Sequence, residues 1–78
     1  MMDSKFKEIL NTINTEIMEN ADADLLDEGI IDSLQIMIMV SNFESEYSIE
    51  IDPDDIVPEN FETVDAIWEL VSRYVKEK

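Results

Sequence analysis

Asp32 and Ser33 are the residues best placed to do chemistry in this chain. They stand where an acidic loop with the only glycine, Gly29, gives way to the apolar run Ile36-Met37-Ile38-Met39-Val40. An Asp-Ser pair at such a border can start a helix. A serine hydroxyl there lies near unsatisfied backbone N–H groups and the positive end of the helix dipole, a setting that suits a phosphate. Two roles are open to Ser33 on these grounds, helix cap and attachment point. A nucleophile acting alone is a poor third, because it needs an activating base. The chain has no histidine, and its lysines lie near the termini. Intrinsic catalysis is therefore not expected.

Metal chemistry has little more to build on. With no cysteine or histidine the usual zinc ligands are missing. The acidic loop invites comparison with a calcium-binding EF-hand. Placing Gly29 at loop position 6 puts Leu26 at position 3 and Gln35 at position 12. Position 3 then offers no oxygen ligand and position 12 lacks the bidentate glutamate, so the motif fails. Carboxylate pairs such as Asp54-Asp55 read as solvated charge.

Hydrophobic spacing predicts the helices that hold Asp32 and Ser33. Phe6, Ile9, Leu10, Ile13 and Ile17 form one helical stripe, which predicts a first helix over 3–19. Residues 20–32 form a long loop, pinned by Leu25, Leu26, Ile30 and Ile31. A second helix over 33–47 turns Ile36, Met39, Val40, Phe43 and Tyr47 to the core. Leu34, Met37 and Ile38, extended by the small Ser41, fall on its opposite side. That apolar surplus is either a binding face, which flexible methionine suits, or a surface covered by a neighbouring segment. In the connection 48–62, Pro53 opens a short helical turn and Pro58 ends it, while Ile51, Ile56, Val57 and Phe61 anchor the segment. Thr63 caps a last helix over 63–76, with Val64, Ile67, Trp68, Val71 and Val75 inward. The expected fold is all-α, a small bundle of three long helices plus one short helix in a single domain, 1–78.

Charge narrows the partners. Between Glu8 and Ser72 there is no Lys or Arg, while 18 of the 20 acidic residues lie in that span. Nucleic acid and anionic membranes both need basic contacts, so neither is expected as a partner. No apolar run approaches the ~20 residues that span a bilayer, and no secretory signal is visible, which points to the cytoplasm. A monomer is expected.

Gly29-Ile30-Ile31-Asp32-Ser33-Leu34 resembles the Gly-x-x-Asp-Ser-Leu signature of the acyl, peptidyl and D-alanyl carrier proteins. The resemblance extends over nearly the whole chain: its length, the first helix, the long acidic loop, the serine opening the second helix, a short third helix, and a fourth after Phe61-Glu62-Thr63. It implies that Ser33 carries 4′-phosphopantetheine through a phosphodiester. Asp32 would help a phosphopantetheinyl transferase place its metal ion and coenzyme A, and Leu34 would be a docking contact. It also makes the outer face of the second helix, Leu34, Met37, Ile38 and Ser41, the surface read by partner enzymes. Fatty-acid carriers usually have acidic residues where this chain has Gln35 and Ile38, so the resemblance is closer to peptidyl or D-alanyl carriers. Docking is then largely apolar, with Asp27, Glu28, Glu44 and Glu46 around the edge. The expected protein is a discrete carrier of an acyl or aminoacyl thioester, served by adenylating and transferring enzymes. The alternatives are a fatty-acid-type carrier, and an acidic interaction module in which Ser33 merely caps its helix.

Overall fold

The computed structural model describes residues 2–77, and they form an all-helical bundle. Helix α1 (Ser4–Ile13) starts where Asp3 accepts a hydrogen bond from the Phe6 N–H at 2.8 Å. It buries Phe6, Ile9 and Leu10. The predicted first helix does not run on to residue 19. It ends at Asn14, whose backbone is extended (φ −162°, ψ 111°), and gives way to a one-turn helix α2 (Glu16–Glu19). Asparagine favours such breaks because its side chain competes for backbone groups. Here Asn14 Oδ1 accepts from the Glu16 N–H at 2.9 Å, and Nδ2 donates to the Ile30 carbonyl at 2.8 Å. Ile17 is still fully buried, so the apolar stripe survives the break.

The acidic loop is ordered by its own backbone and by two apolar anchors. Leu25 and Ile31 are buried, whereas Leu26 and Ile30 are half-buried. The Leu25 N–H reaches across the bundle to the Glu62 carbonyl at 2.6 Å. Asp24 Oδ1 accepts from the N–H groups of Leu26 and Asp27, which explains this acidic side chain as a turn former. Gly29 has φ +72°, a left-handed conformation that glycine takes without steric cost.

Helix α3 (Ser33–Tyr47) buries Ile36, Met39, Val40 and Phe43 of its predicted stripe, while Tyr47, the fifth, is only half-buried. It ends at Ser48 in the left-handed region, φ 54°. The prolines open two successive 3-10 turns, Pro53–Asp55 and Pro58–Phe61, so Pro58 begins a second turn rather than simply ending the first. Of the four expected anchors here, Ile51 and Phe61 are buried but Ile56 and Val57 only half so. Helix α4 (Val64–Glu77) is capped by Thr63 Oγ1, which accepts from the Ala66 N–H at 3.1 Å. It buries Val64, Ile67, Leu70 and Val71. Phe6 joins the three long helices: its ring stacks on Phe43 (centroids 5.5 Å apart) and meets the half-buried Trp68 edge-on (4.9 Å).

Two tyrosines hold the periphery. Tyr47 donates to Asp3 at 2.8 Å, with the Lys5 ammonium 5.2 Å from its ring centroid. Tyr74 donates to Asp55 and accepts from the Asp52 N–H at 3.1 Å, clasping the first 3-10 turn to α4. Burial, and then the bond to Asp3, pushes the Tyr47 phenol above its ordinary value of 10.0. The Tyr74 phenol is also raised, chiefly by its bond to Asp55. A phenol raised on folding contributes stability fully below pH ~10 and loses it as pH climbs through the folded value. Melting scans should therefore show the wild type's advantage over a Tyr47→Phe/Tyr74→Phe double variant constant at pH 8–9 and shrinking above pH ~10. An advantage unchanged at high pH would contradict these two bonds.

Candidate functional site

Asp32 and Ser33 take different jobs at the start of α3. Asp32 is the N-cap, in extended conformation (φ −132°, ψ −177°), and its Oδ1 accepts from the Gln35 N–H at 2.9 Å. Ser33 is the first helical residue and is exposed. The capping oxygen belongs to Asp32, which leaves the Ser33 hydroxyl at a rigid helix end and outside the cap. Behind it, the Ile36 N–H closes on the Asp32 carbonyl at 3.0 Å.

The outer face of α3 is uncovered. Leu34 is 69% exposed, Met37 53% and Ile38 43%, and they are the large apolar side chains most open to solvent among the described residues. Ser41 continues the face and is exposed. No charged side chain occurs in α3 before Glu44, although the chain carries net charge −15. Three large apolar side chains gathered on one exposed face stand out on so small and acidic a surface. The expected acidic edge is only partly there. Asp27, Glu28 and Glu46 are exposed, but Glu44 is half-buried and accepts from the Ile51 N–H at 2.9 Å. Glu44 therefore serves the fold rather than the edge.

Beside Ser33 opens an apolar cleft of about 240 Å³, walled by Ile36, Met37, Ile56, Val57, Pro58 and Phe61. The sequence marks Ile56 and Val57 as anchors of the 48–62 connection. The two 3-10 turns instead leave them at the rim, and no periodicity in 53–61 signals this.

The start of α1 is an internal comparison. Asp3-Ser4 repeats the arrangement, with Asp3 as N-cap and Ser4 as an exposed first residue. The first helical turns beyond the two serines differ. Positions one, four and five after Ser4 are Lys5, Glu8 and the buried Ile9, whereas those after Ser33 are the exposed Leu34, Met37 and Ile38. A helix start alone does not distinguish the two serines. The apolar face and the cleft do.

Residues 4–71 match the family model described as the phosphopantetheine attachment site. The chain belongs to that family. It is a carrier protein, on which other enzymes act, rather than a catalyst, and the family's prosthetic group is 4′-phosphopantetheine joined covalently to a serine. The exposed hydroxyl of Ser33 and the adjoining cleft suit a long, flexible phosphodiester-linked arm. Among curated relatives, the D-alanyl carrier proteins of Lactococcus lactis subsp. cremoris (strain MG1363) and subsp. lactis (strain IL1403) are 29% and 28% identical over 68 residues. These alignments cover 85% of this chain and 86% of each relative. No solved structure gives a significant match. A carrier of this family meets a phosphopantetheinyl transferase and enzymes that load or unload it. Among the described residues no helix is long and apolar enough to cross a membrane, and no group of three acidic side chains is arranged to hold a metal ion.

Proposed function

We propose that Ser33 is the serine that accepts 4′-phosphopantetheine, and that residues 1–78 act as a single-domain, monomeric, cytoplasmic carrier of an aminoacyl group of the D-alanyl type. The observation that carries this reading is the pairing at the start of α3. An exposed serine, uncommitted to the cap, stands directly before an exposed apolar face. Once attached, the arm supplies a terminal thiol on which cargo is held as a thioester. The chain's own residues hold and present. Asp32 fixes the first turn through Oδ1 and offers its second carboxylate oxygen toward the transferase's metal and coenzyme A. Leu34, Met37, Ile38 and Ser41 form the surface on which the transferase, an adenylating loading enzyme and a downstream acceptor enzyme dock in turn. The D-alanyl assignment is supported by the named relatives and by Gln35 and Ile38, which make this face apolar instead of acidic.

Cargo is tested by offering the phosphopantetheinylated chain to a D-alanine-adenylating enzyme and, separately, to an acyl-adenylating enzyme with a medium-chain fatty acid. A hydroxylamine-labile aminoacyl adduct is expected in the first case. Loading by fatty acid alone would overturn it in favour of an acyl carrier that uses the Ile36, Met37 and Phe61 cleft.

Docking is tested at Ile38. Ile38→Glu should lower kcat/KM of loading about ten-fold, equivalent to ~1.4 kcal/mol, because a carboxylate must be desolvated at an apolar contact. Helical circular dichroism should be unchanged, since Ile38 lies outside the core. Loading at the wild-type rate would remove Ile38 from the interface.

A further inference from the structure

We propose that Asn14 is a positioning residue for transfer of phosphopantetheine onto Ser33, an inference that rests on Ser33 being the attachment site. The break it makes in the first predicted helix is otherwise a loss, because the apolar stripe Phe6 to Ile17 would support an uninterrupted helix. The half-buried Asn14 side chain uses the break to reach both flanks of Ser33. Its Nδ2 donates to the Ile30 carbonyl at 2.8 Å and to Gln35 Oε1 at 3.3 Å. Ile30 is three residues before the serine and Gln35 two after it. The Gln35 N–H is in turn the group capped by Asp32 Oδ1 at 2.9 Å. One amide at the break between α1 and α2 thus fixes the end of the acidic loop and the first turn of α3 together, with Ser33 between them. Meanwhile Asn14 Oδ1 holds the Glu16 N–H at 2.9 Å, so every polar atom of the side chain is engaged.

The transfer forms a bond between Ser33 Oγ and the phosphorus at the pantetheine end of coenzyme A. It breaks that phosphorus's bond to the bridging oxygen and releases adenosine 3′,5′-bisphosphate, while the hydroxyl proton passes to a base on the transferase. In-line attack is sensitive to where Oγ stands, and small misplacements of reacting atoms cost rate rather than binding. Releasing the tether from Asn14 therefore slows the docked complex but leaves the docking face of Leu34, Met37 and Ile38 in place.

The test is the kinetics of modification by a broad-specificity phosphopantetheinyl transferase with coenzyme A and magnesium, at a temperature well below every variant's Tm. Asn14→Asp keeps the acceptor for Glu16 and lets the Gln35 amide turn to donate, so it removes the Ile30 bond alone. Asn14→Ala removes all three bonds. Ile67→Val in the buried core serves as a control that lowers Tm without touching α3's start. The expected result is kcat about ten-fold lower for Asn14→Ala and several-fold lower for Asn14→Asp, with KM within about two-fold. Asn14→Gln, which can still donate, should recover part of the loss. Amide exchange at Ile31 to Gln35 should quicken in Asn14→Asp, a readout independent of the transferase and available even if Asn14→Ala folds poorly. Unchanged kcat and unchanged exchange in Asn14→Asp would overturn the proposal while leaving Ser33 as the attachment site, and so would a loss in Asn14→Ala no greater than that in Ile67→Val. A wild-type chain that takes no adduct on Ser33 would overturn both readings.

Discussion

Ser33→Ala should take up no phosphopantetheine under conditions in which the unaltered chain is fully converted. The loss is all-or-none because no other serine among the described residues combines the required features. The other serines are Ser4, Ser41, Ser45, Ser48 and Ser72. Ser41, Ser45 and Ser72 lie within helices, and Ser48 ends α3 in a left-handed conformation. Only Ser4 shares the position of an exposed first residue behind a capping aspartate, and it is followed by Lys5 and Glu8 rather than by an apolar face. The substitution leaves the fold alone. Asp32 keeps the cap, the position is exposed, and such changes stay within about 0.5 kcal/mol. Loss of the adduct with an unchanged melting curve therefore reports the missing hydroxyl. A full adduct on Ser33→Ala would place the attachment elsewhere.

Phe43→Ala should come close to unfolding the chain. Phe43 is fully buried and stacks on Phe6, which also meets Trp68, so its ring lies where α1, α3 and α4 converge. Truncating a buried phenylalanine costs about 3–5 kcal/mol, the lost transfer energy plus the cavity left behind. A domain of this length has on the order of 4–12 kcal/mol in all, at 0.05–0.15 kcal/mol per residue. With no cysteine there is no disulfide to hold the unfolded chain together. Thermal melting should show a fall in Tm well beyond ten degrees or no cooperative transition. A loss below about 1 kcal/mol would mean that the aromatic cluster is not the centre of the core.

Much of this architecture was legible in the spacing of apolar residues. The inward residues of α3 fall where a 3.6-residue period puts them, and the remainder, Leu34, Met37 and Ile38, are the ones left exposed. Periodicity could not choose between a covered and an open outer face, because that depends on where the neighbouring segments pack. It also ran past Asn14, since the stripe resumes at Ile17 as if nothing had happened. The asparagine side chain was the available signal, but its partners at Ile30 and Gln35 are 16 and 21 residues away and obey no local rule. The cleft beside Ser33 was hidden for a similar reason. Its far wall comes from the two 3-10 turns and the link between them, where the apolar residues have no period to read, and Ile56 and Val57 look like plain anchors until those turns are in place. Asp32 and Ser33 were visible as a pair, whereas their division into cap and free hydroxyl needed the backbone.

The site rests on one distinction, that between Ser33 and Ser4, because both open a helix behind an aspartate. The most direct measurement is fragment mass spectrometry of the wild-type chain after incubation with coenzyme A, magnesium and a phosphopantetheinyl transferase. A single phosphopantetheine on the fragment containing Asp32-Ser33-Leu34, and none on the fragment containing Asp3-Ser4-Lys5, is the predicted result. An adduct on Ser4, or no adduct at all, would contradict it.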